Sequence, residues 1–451
     1  MNAKYQDMYK GLIEAYYDRT FETELTKILE EADDRQEVLQ VIATLSGIED
    51  IPEELSANDH QFINAVISAI TRNEVREKIV RKVGTCSKDC ETKDGRSKCM
   101  NVCPFDAIVR VDETSDKKID EELCMSCGRC VNVCENGHFQ DVPQALPLVE
   151  MMKQHKKVYA IVAPAIAGQF GKDVTLDQLR EAFIKIGFTD MVEVAMAADV
   201  LSMKEAMEYN ELVTEEGDFM ITSCCCPMWI AMLRKLYNDL IPEISPSVSP
   251  MVAMGRILKK LESEAKVVFV GPCIAKKAEA KEPDICDAVD HVLTFEETKL
   301  LFEAYHIDVT KLHGVPTVDY ASAGGRLYAR AGGVSQAIWD IIDEMYPEKR
   351  KLFSSVHVDG IPDCKKILKE LEDGTVRASF IEGMGCKGGC VGGPKRIIPV
   401  EEGTQCVNNK ARDSAIKMPM HSAVIIRLLN EIGIRDLQAL RDDHSMFERK
   451  F

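Results

Sequence analysis

Seventeen of the 451 residues are cysteines, and most stand in tight spacings that suit thiolate ligation of metal. Eight fall within 49 residues: Cys86, Cys90, Cys99, Cys103, Cys124, Cys127, Cys130 and Cys134. The last four follow C-x2-C-x2-C-x3-C, a spacing in which one loop turns three sulfurs toward a [4Fe–4S] cube. Structural zinc is the alternative, but it favours paired C-x2-C knuckles. A second constellation is Thr222-Ser223-Cys224-Cys225-Cys226-Pro227-Met228-Trp229. Three adjacent side chains cannot all point at one centre, because a strand alternates them and a turn fans them out. At least one sulfur is then expected on a metal and another is left for different work. A reduced, buried patch without chemistry is the plainer alternative. Two further turns carry cysteine: Gly271-Pro272-Cys273, and Cys386-Lys387-Gly388-Gly389-Cys390 among six glycines. Glycines let backbone approach a bulky inorganic ligand closely. Cys226, Cys273, Cys386 and Cys390 together supply four thiolates, enough for a third cube. Lys276, near such an anionic centre, is a hydrogen-bond donor to a bound anion.

These turns need elements to position them. Residues 1–80 read as a helical segment with a continuous apolar face, from Tyr9, Leu12 and Ile13 through Leu39 and Ile42 to Phe62, Val66 and Ile70. Residues 81–145 hold the eight clustered cysteines. Residues 146–451 alternate strands and helices, which implies mainly parallel sheets. Buried strands are expected at 158–163, 191–195, 218–221, 266–270 and 378–382, with helices at 175–186 and 200–209. A closing helix is expected at 419–432, with Pro419 in its first turn. Gly332-Gly333 is expected to start a helix packed near the site. Three of the strands run straight into a cysteine-bearing turn, and ligands of such folds gather at strand C-terminal ends.

Composition narrows the partners. The net charge of −18 argues against nucleic acid or an anionic membrane surface. The longest apolar run, residues 158–170, is too short to cross a bilayer. Residues 1–6 run straight into a charged helix pattern, so no signal peptide is expected. A long chain of this kind, with clustered C-x2-C spacings, is expected to be cytoplasmic and metal-binding, without disulfides. Cys286, Cys364 and Cys406 fit no ligand set and are expected to be buried small hydrophobes. The histidines show no metal spacing.

The 81–145 segment resembles a bacterial two-cluster ferredoxin domain. There the fourth cysteine of each run ligates the other cube, which implies one cube on Cys86, Cys90, Cys99 and Cys134 and another on Cys124, Cys127, Cys130 and Cys103. It departs in its stretched first run, C-x3-C-x8-C-x3-C-P, and in Glu135 following Cys134 where Pro is usual. The three turns of 146–451 look like the three ordered signature motifs of the iron-only ([FeFe]) hydrogenases, a resemblance that covers about residues 81–400. It implies an α/β catalytic domain, with two mainly parallel sheets flanking the metal site, beside an α+β two-cluster ferredoxin-like domain and the N-terminal helical segment. It implies that Cys226, Cys273, Cys386 and Cys390 hold a [4Fe–4S] subcluster. Cys390 bridges to a diiron subcluster carrying CO, cyanide and an azadithiolate. Lys276 matches a lysine that hydrogen-bonds a cyanide, Met384 a methionine packed on the diiron site, and Ala163-Pro164 a segment lining the same pocket.

The resemblance also implies a proton route: Cys225, then Glu205, Ser245 and Glu208. Glu205 and Glu208 are three apart and share a helix face; taken bare, they would be a solvated face. The extra cysteine, Gly271 where many members have Met, Ala165 where many have a polar residue, and Pro394 in the glycine run look like a divergent two-cluster subgroup with T-S-C-C-C-P. Cys224 stands where relatives have Ser and is either a packing residue or the relay itself. The implied reaction is reversible interconversion of H2 with two protons and two electrons. Electrons would leave through the site's cube, then the cube on Cys124, and then the cube on Cys86. Ferredoxin or a similar small redox protein is the implied partner, and maturation proteins would supply the diiron group. A hydrogen sensor with low turnover and a non-enzymatic iron–sulfur assembly protein on the same fold are the competing readings.

Overall fold

A computed structural model describes residues 1–48, 51–72, 78–86, 90–92, 95–111, 114–222, 225–317 and 320–451. Ser223 and Cys224 lie outside the described residues, and with them the expectation for Cys224. The chain forms two compact units. One comprises Met1–Lys156, Ile274–Lys281 and Glu296–Asp308; the other comprises Lys157–Cys273, Glu282–Phe295 and Val309–Phe451.

The first unit opens with helices Gln6–Tyr17, Phe21–Glu30, Arg35–Ser46 and Asp59–Arg72. Their periodic apolar positions, Tyr9, Leu12, Leu25, Leu39, Ile42, Phe62 and Val66, are buried as the 3.6-residue repeat demands. The cysteine-rich part follows with four short strands: β1 (Val80–Lys82), β2 (Ile108–Arg110), β3 (Lys117–Ile119) and β4 (Phe139–Asp141). β1 pairs antiparallel with β4 and β2 antiparallel with β3. Two five-residue helices, Lys98–Val102 and Arg129–Val133, complete it. A small core of Ile79, Val80, Cys99, Ile108, Cys130, Val131, Phe139 and Ile274 holds these pieces together. Lys277 is buried between Asp141, 3.0 Å away, and Glu297, 2.9 Å away. Burial alone would lower its pKa, but the two carboxylates hold it above the usual lysine value.

The second unit is built on two parallel sheets. Four strands, β5 (Val158–Val162), β6 (Asp190–Glu193), β8 (Lys266–Gly271) and β9 (His291–Thr294), lie in the order β6-β5-β8-β9. Three more, β7 (Met220–Ile221), β10 (Ser355–Asp359) and β11 (Phe380–Met384), lie in the order β10-β11-β7. Every pairing in both sheets is parallel. The near-continuous apolar runs of β5 and β8 suit strands covered on both faces. This is the α/β architecture expected from the sequence.

Three elements depart from the sequence expectation. The helix expected at 200–209 runs over Ala195–Leu212 and is buried almost all round, including Lys204 and Glu205. A helix without one polar face gives no periodic signal at its ends. The closing helix is Ala423–Glu431, capped by the Ser422 side chain; Pro419 belongs to a separate 3-10 turn, Pro419–His421. The strand expected at 378–382 is shifted to Phe380–Met384.

The long helix is anchored by close packing at its start. A Cβ on Gly325 would collide with the Ala195 carbonyl oxygen and come within 2.6 Å of Asp199 Oδ1. Asp199 is fully buried and accepts from Ser322 N (2.6 Å) and Gly325 N (3.0 Å). Gly325→Ala is therefore expected to destabilise the fold by about 2 kcal/mol, read as a lowered Tm with the helix content unchanged.

Candidate metal centres

In the first unit each five-residue helix has a buried cysteine at its second position, Cys99 or Cys130, and ends on an extended cysteine, Cys103 or Cys134. Both terminal sulfurs accept a backbone N–H four residues on. Ala107 N donates to Cys103 Sγ and His138 N to Cys134 Sγ, each at 3.2 Å. The duplication places the cysteines in two groups. Cys86, Cys90, Cys99 and Cys134 line one cavity of about 220 Å³, with the Ser97 hydroxyl 3.0 Å from Cys99 Sγ. Cys134 thus lines the same cavity as the first run's Cys86, Cys90 and Cys99.

The second group shows itself through its electrostatics. Burial pushes the Cys127 thiol up to about 11, and the charges of Cys103 and Cys124 add to it. Cys130 is pushed well above its ordinary value by burial, then by Cys127, Cys124 and Cys103. Cys86 of the first group is raised to about 11 by burial, against the pull of Lys82. Buried thiols that repel one another in this way ionise together only against a cation, which an iron–sulfur cube supplies. The connecting loop is tightly wound. Ser126 (φ 52°) and Gly128 (φ 73°) are left-handed, and a Cβ on Gly128 would collide with the Ile274 side chain.

The second unit brings three cysteine turns to the C-terminal ends of β7, β8 and β11. Pro227 at the first position starts helix Pro227–Leu236, with Cys226 as its N-cap residue. Gly385 N donates to Cys226 Sγ at 3.2 Å, joining the first turn to the third. Lys395 N donates to the Pro272 carbonyl at 2.9 Å, joining the third to the second. At Gly393 a Cβ would lie 2.8 Å from both Pro272 Cβ and its oxygen, and at Gly389 2.8 Å from Met384 Sδ. Gly388 (φ 82°) and Gly389 (φ 85°) are left-handed, so two requirements, space and backbone conformation, select glycine there. The arrangement thus offers four thiols on turns tied to one another, with room kept clear by glycine, a donor set and cradle that fit a cube.

Other expected residues are placed as follows. Ala163 follows β5, and its N–H donates to the Val270 carbonyl at 2.8 Å. A Cβ on Gly271 would meet the Phe269 ring at 2.6 Å and Ala163 Cβ at 3.4 Å; Phe269 fills the space a larger residue at 271 would take. Met384 and Ala165 are buried. Lys276, in the first unit, is buried and paired with Glu279 at 2.6 Å. Cys364 is buried as expected, and lies close enough to Cys226 for the two charges to interact; burial first, then Cys226, raises its thiol pKa. Cys286 is exposed and Cys406 only half-buried, against the expectation of buried small hydrophobes. Cys406 lies on helix Val400–Arg412 next to, not on, the buried stripe of Gly403, Val407 and Ala411.

Glu205 and Glu208 are the sharpest correction of a bare base rate. Glu205 is fully buried, and the Thr222 hydroxyl reaches its two oxygens at 2.9 and 3.1 Å. Glu208 accepts from the Ser245 hydroxyl at 2.6 Å. Ser245 N donates to the Ile221 carbonyl, so Ser245 is held beside Thr222. Burial raises the Glu208 pKa, with Lys204 and the Ser245 hydroxyl pulling against it. Thr222, Lys204 and Glu382 are the residues sequence reasoning missed. Glu382 is buried on β11 and accepts from Gly332 N, Ser335 N and Ser335 Oγ at 2.7–2.8 Å. It fastens the start of helix Gly333–Met345 to the third turn's strand. None of the three had a spacing signal.

Residues 156–394 match the family model of the iron only hydrogenase large subunit, C-terminal domain, and residues 117–137 that of a 4Fe–4S binding domain. The first match spans more than half of the chain. This chain belongs to the iron-only hydrogenase family. It is 24% identical to the NADP-reducing hydrogenase subunit HndD of Solidesulfovibrio fructosivorans, over 79% of this chain and 69% of that protein. It is 21% identical to the cytosolic Fe–S cluster assembly factor narfl of Xenopus tropicalis, over 74% and 83%. An [FeFe]-hydrogenase structure titled for oxygen inactivation superimposes with a TM-score of 0.56 at 20% identity, covering 69% of this chain and 99% of that one. The fold is shared, and the family's iron–sulfur binding comes with it.

The crossed cysteine groups make a prediction about iron content in this hydrogenase-family chain. Cys134→Ser is expected to remove about four irons. Adding Cys86→Ser should remove none further, whereas adding Cys130→Ser should remove about four more. Iron and sulfide analysis with EPR of the reduced protein checks this, and equal losses from both double variants would contradict the crossing.

Proposed function

We propose that this protein is a hydrogenase, interconverting H2 with two protons and two electrons, and that ferredoxin or a similar small redox protein is its electron partner. The observation that carries the reading is the part-buried 2.6 Å hydrogen bond from Ser245 to Glu208, on the helix that also holds the buried Glu205. A serine hydroxyl that can both accept and donate, set beside one carboxylate and near a second on the same helix, is the kind of arrangement proton delivery requires.

In this reading Cys226, Cys273, Cys386 and Cys390 hold a [4Fe–4S] subcluster, and Cys390 also bears the diiron subcluster with its CO, cyanide and azadithiolate. When bound, that group supplies the Lewis-acidic iron and the basic amine at which H2 is made or split. Ala163, Pro164 and Met384 would wall the pocket. The Cys225 thiol takes the proton at the pocket edge. Glu205, steadied by Thr222, passes it toward Ser245, whose hydroxyl both accepts and donates. Burial lets Glu208 keep a proton nearer neutral pH than an exposed carboxylate would. Cys86, Cys90, Cys99 and Cys134 would hold one cube and Cys103, Cys124, Cys127 and Cys130 another, which would supply the one-electron carriers. Maturation proteins supply the diiron group, and the protein works in the cytoplasm; among the described residues no helix is long and apolar enough to cross a membrane.

A second reading, an iron–sulfur assembly factor, is favoured by the similarity to narfl. Infrared spectra of the matured protein separate the two: CO and cyanide stretching bands are expected, and their absence would favour assembly. H2 evolution with reduced ferredoxin, and H2 oxidation beside it, tests turnover. Cys225→Ala and Glu208→Gln are each expected to keep the iron and the infrared bands yet lower turnover by about 100-fold or more. Near-normal rates in either variant would remove that residue from the route.

A further inference from the structure

Glu208 ends the relay just described, and its side chain is only 11% exposed. A proton that arrives there still has to leave. Lys204, one helical turn earlier, is buried and lies 3.3 Å from Glu208 Oε1. The same ammonium lies 2.6 Å from Glu448 Oε1 and donates to the Arg441 carbonyl at 3.0 Å. The other oxygen of Glu448 is 2.7 Å from His444 Nδ1, and the His444 side chain is 75% exposed.

The segment bearing Glu448 and His444 is held firmly in place. Ser247 and Glu448 form an antiparallel bridge, Val248 N donates to the Phe447 carbonyl, and Arg449 N donates to the Pro246 carbonyl. Phe447 is fully buried. The other cations nearby are turned away from the carboxylate. Arg256 donates to the backbone carbonyls of Ser445, Met446 and Glu448, and Arg449 pairs with Glu282 and Asp284. From the 245–247 loop, Ser245 and Ser247 present hydroxyls to Glu208, Ser247 at 3.5 Å.

We propose that protons leave and enter through Lys204, Glu448 and His444, so that residues 441–449 supply the surface end of the relay. The inference rests on the hydrogenase reading above. Each link is a hydrogen-bond-scale contact between a group that holds a proton and one that can take it. In the outward step Glu208 gives its proton to Lys204 as Lys204 gives one of its own to Glu448. Lys204 is an ammonium before and after, so no charge is left buried. Glu448 passes the proton to His444 Nδ1, and the imidazolium releases the other ring proton from Nε2 to water or buffer. One proton moves from Glu208 to solvent and no electrons are involved.

The test uses matured full-length protein with Glu448→Gln and His444→Ala, the second exposed enough to spare the fold. At low buffer concentration H2 evolution is expected to fall about tenfold in Glu448→Gln and about threefold in His444→Ala. Added imidazole should restore the His444→Ala rate, and the solvent isotope effect should rise in both variants. A merely structural role for the segment would move neither the imidazole response nor the isotope effect. Rates equal to the parent at every buffer concentration, with the parent turning over, would overturn this exit and leave the hydrogenase reading intact. If the parent neither makes nor consumes H2, that reading falls, and the exit is tested on the protein lacking the diiron group. There the protonated-carboxyl infrared band lost in Glu208→Gln should titrate at lower pH in Glu448→Gln, because a nearby negative charge is gone. An unmoved band would sink the proposed coupling.

Discussion

Three cysteine-bearing turns that are far apart in sequence have to be brought together and tied to one another. The second unit is arranged around that constraint. Parallel strands put all three turns at the same kind of edge, and the Gly385 N–H to Cys226 sulfur bond ties two of them directly. Gly389 and Gly393 of the third turn stand where a Cβ would strike the Ala331 backbone and Met384, or Pro272. Glu382 and the Gly332–Ser335 backbone then fix the strand from behind. Hydrogen bonds to ligand sulfur also set the redox poise of a cube. The contacts that shape the cradle therefore bear on its electron chemistry.

The first unit solves the same problem by duplication. Two short helices end on cysteines whose sulfurs accept the N–H four residues later. Cys134 lines the cavity of Cys86, Cys90 and Cys99, so that group of thiols is not drawn from one loop. Burial raises the thiols of both groups. A cluster therefore stabilises this unit as well as giving it a function.

The proton side of the protein obeys a different rule. A buried carboxylate is costly unless it is hydrogen-bonded or paired. Glu205 has Thr222, and Glu208 has Ser245 and Lys204. These partners make burial tolerable, and in the proposed relay they are the line along which protons pass. The 441–449 segment carries that line to the surface while its backbone pairs with the 246–248 loop.

Cysteine spacing alone pointed to iron–sulfur ligation, because ligand geometry restricts how far apart in the chain such residues stand; the grouping of the ligands came from the family resemblance. Strand-to-turn transitions at β5 and β8 were legible too, since their apolar runs end abruptly at Pro or Gly. The depth of Glu205, Glu208 and Lys204 was not. Their helix is buried on every side and so lacks the one-sided pattern that reports a face. Nor could spacing separate Lys276 from Lys277, adjacent in sequence, of which one pairs within its own helix and the other is locked between Asp141 and Glu297. Thr222, Glu382 and Glu448 owe their roles to partners 17, 47 to 50 and 244 residues away. Long-range pairing of single polar groups leaves no periodic trace in a sequence. Only the tertiary structure decided it.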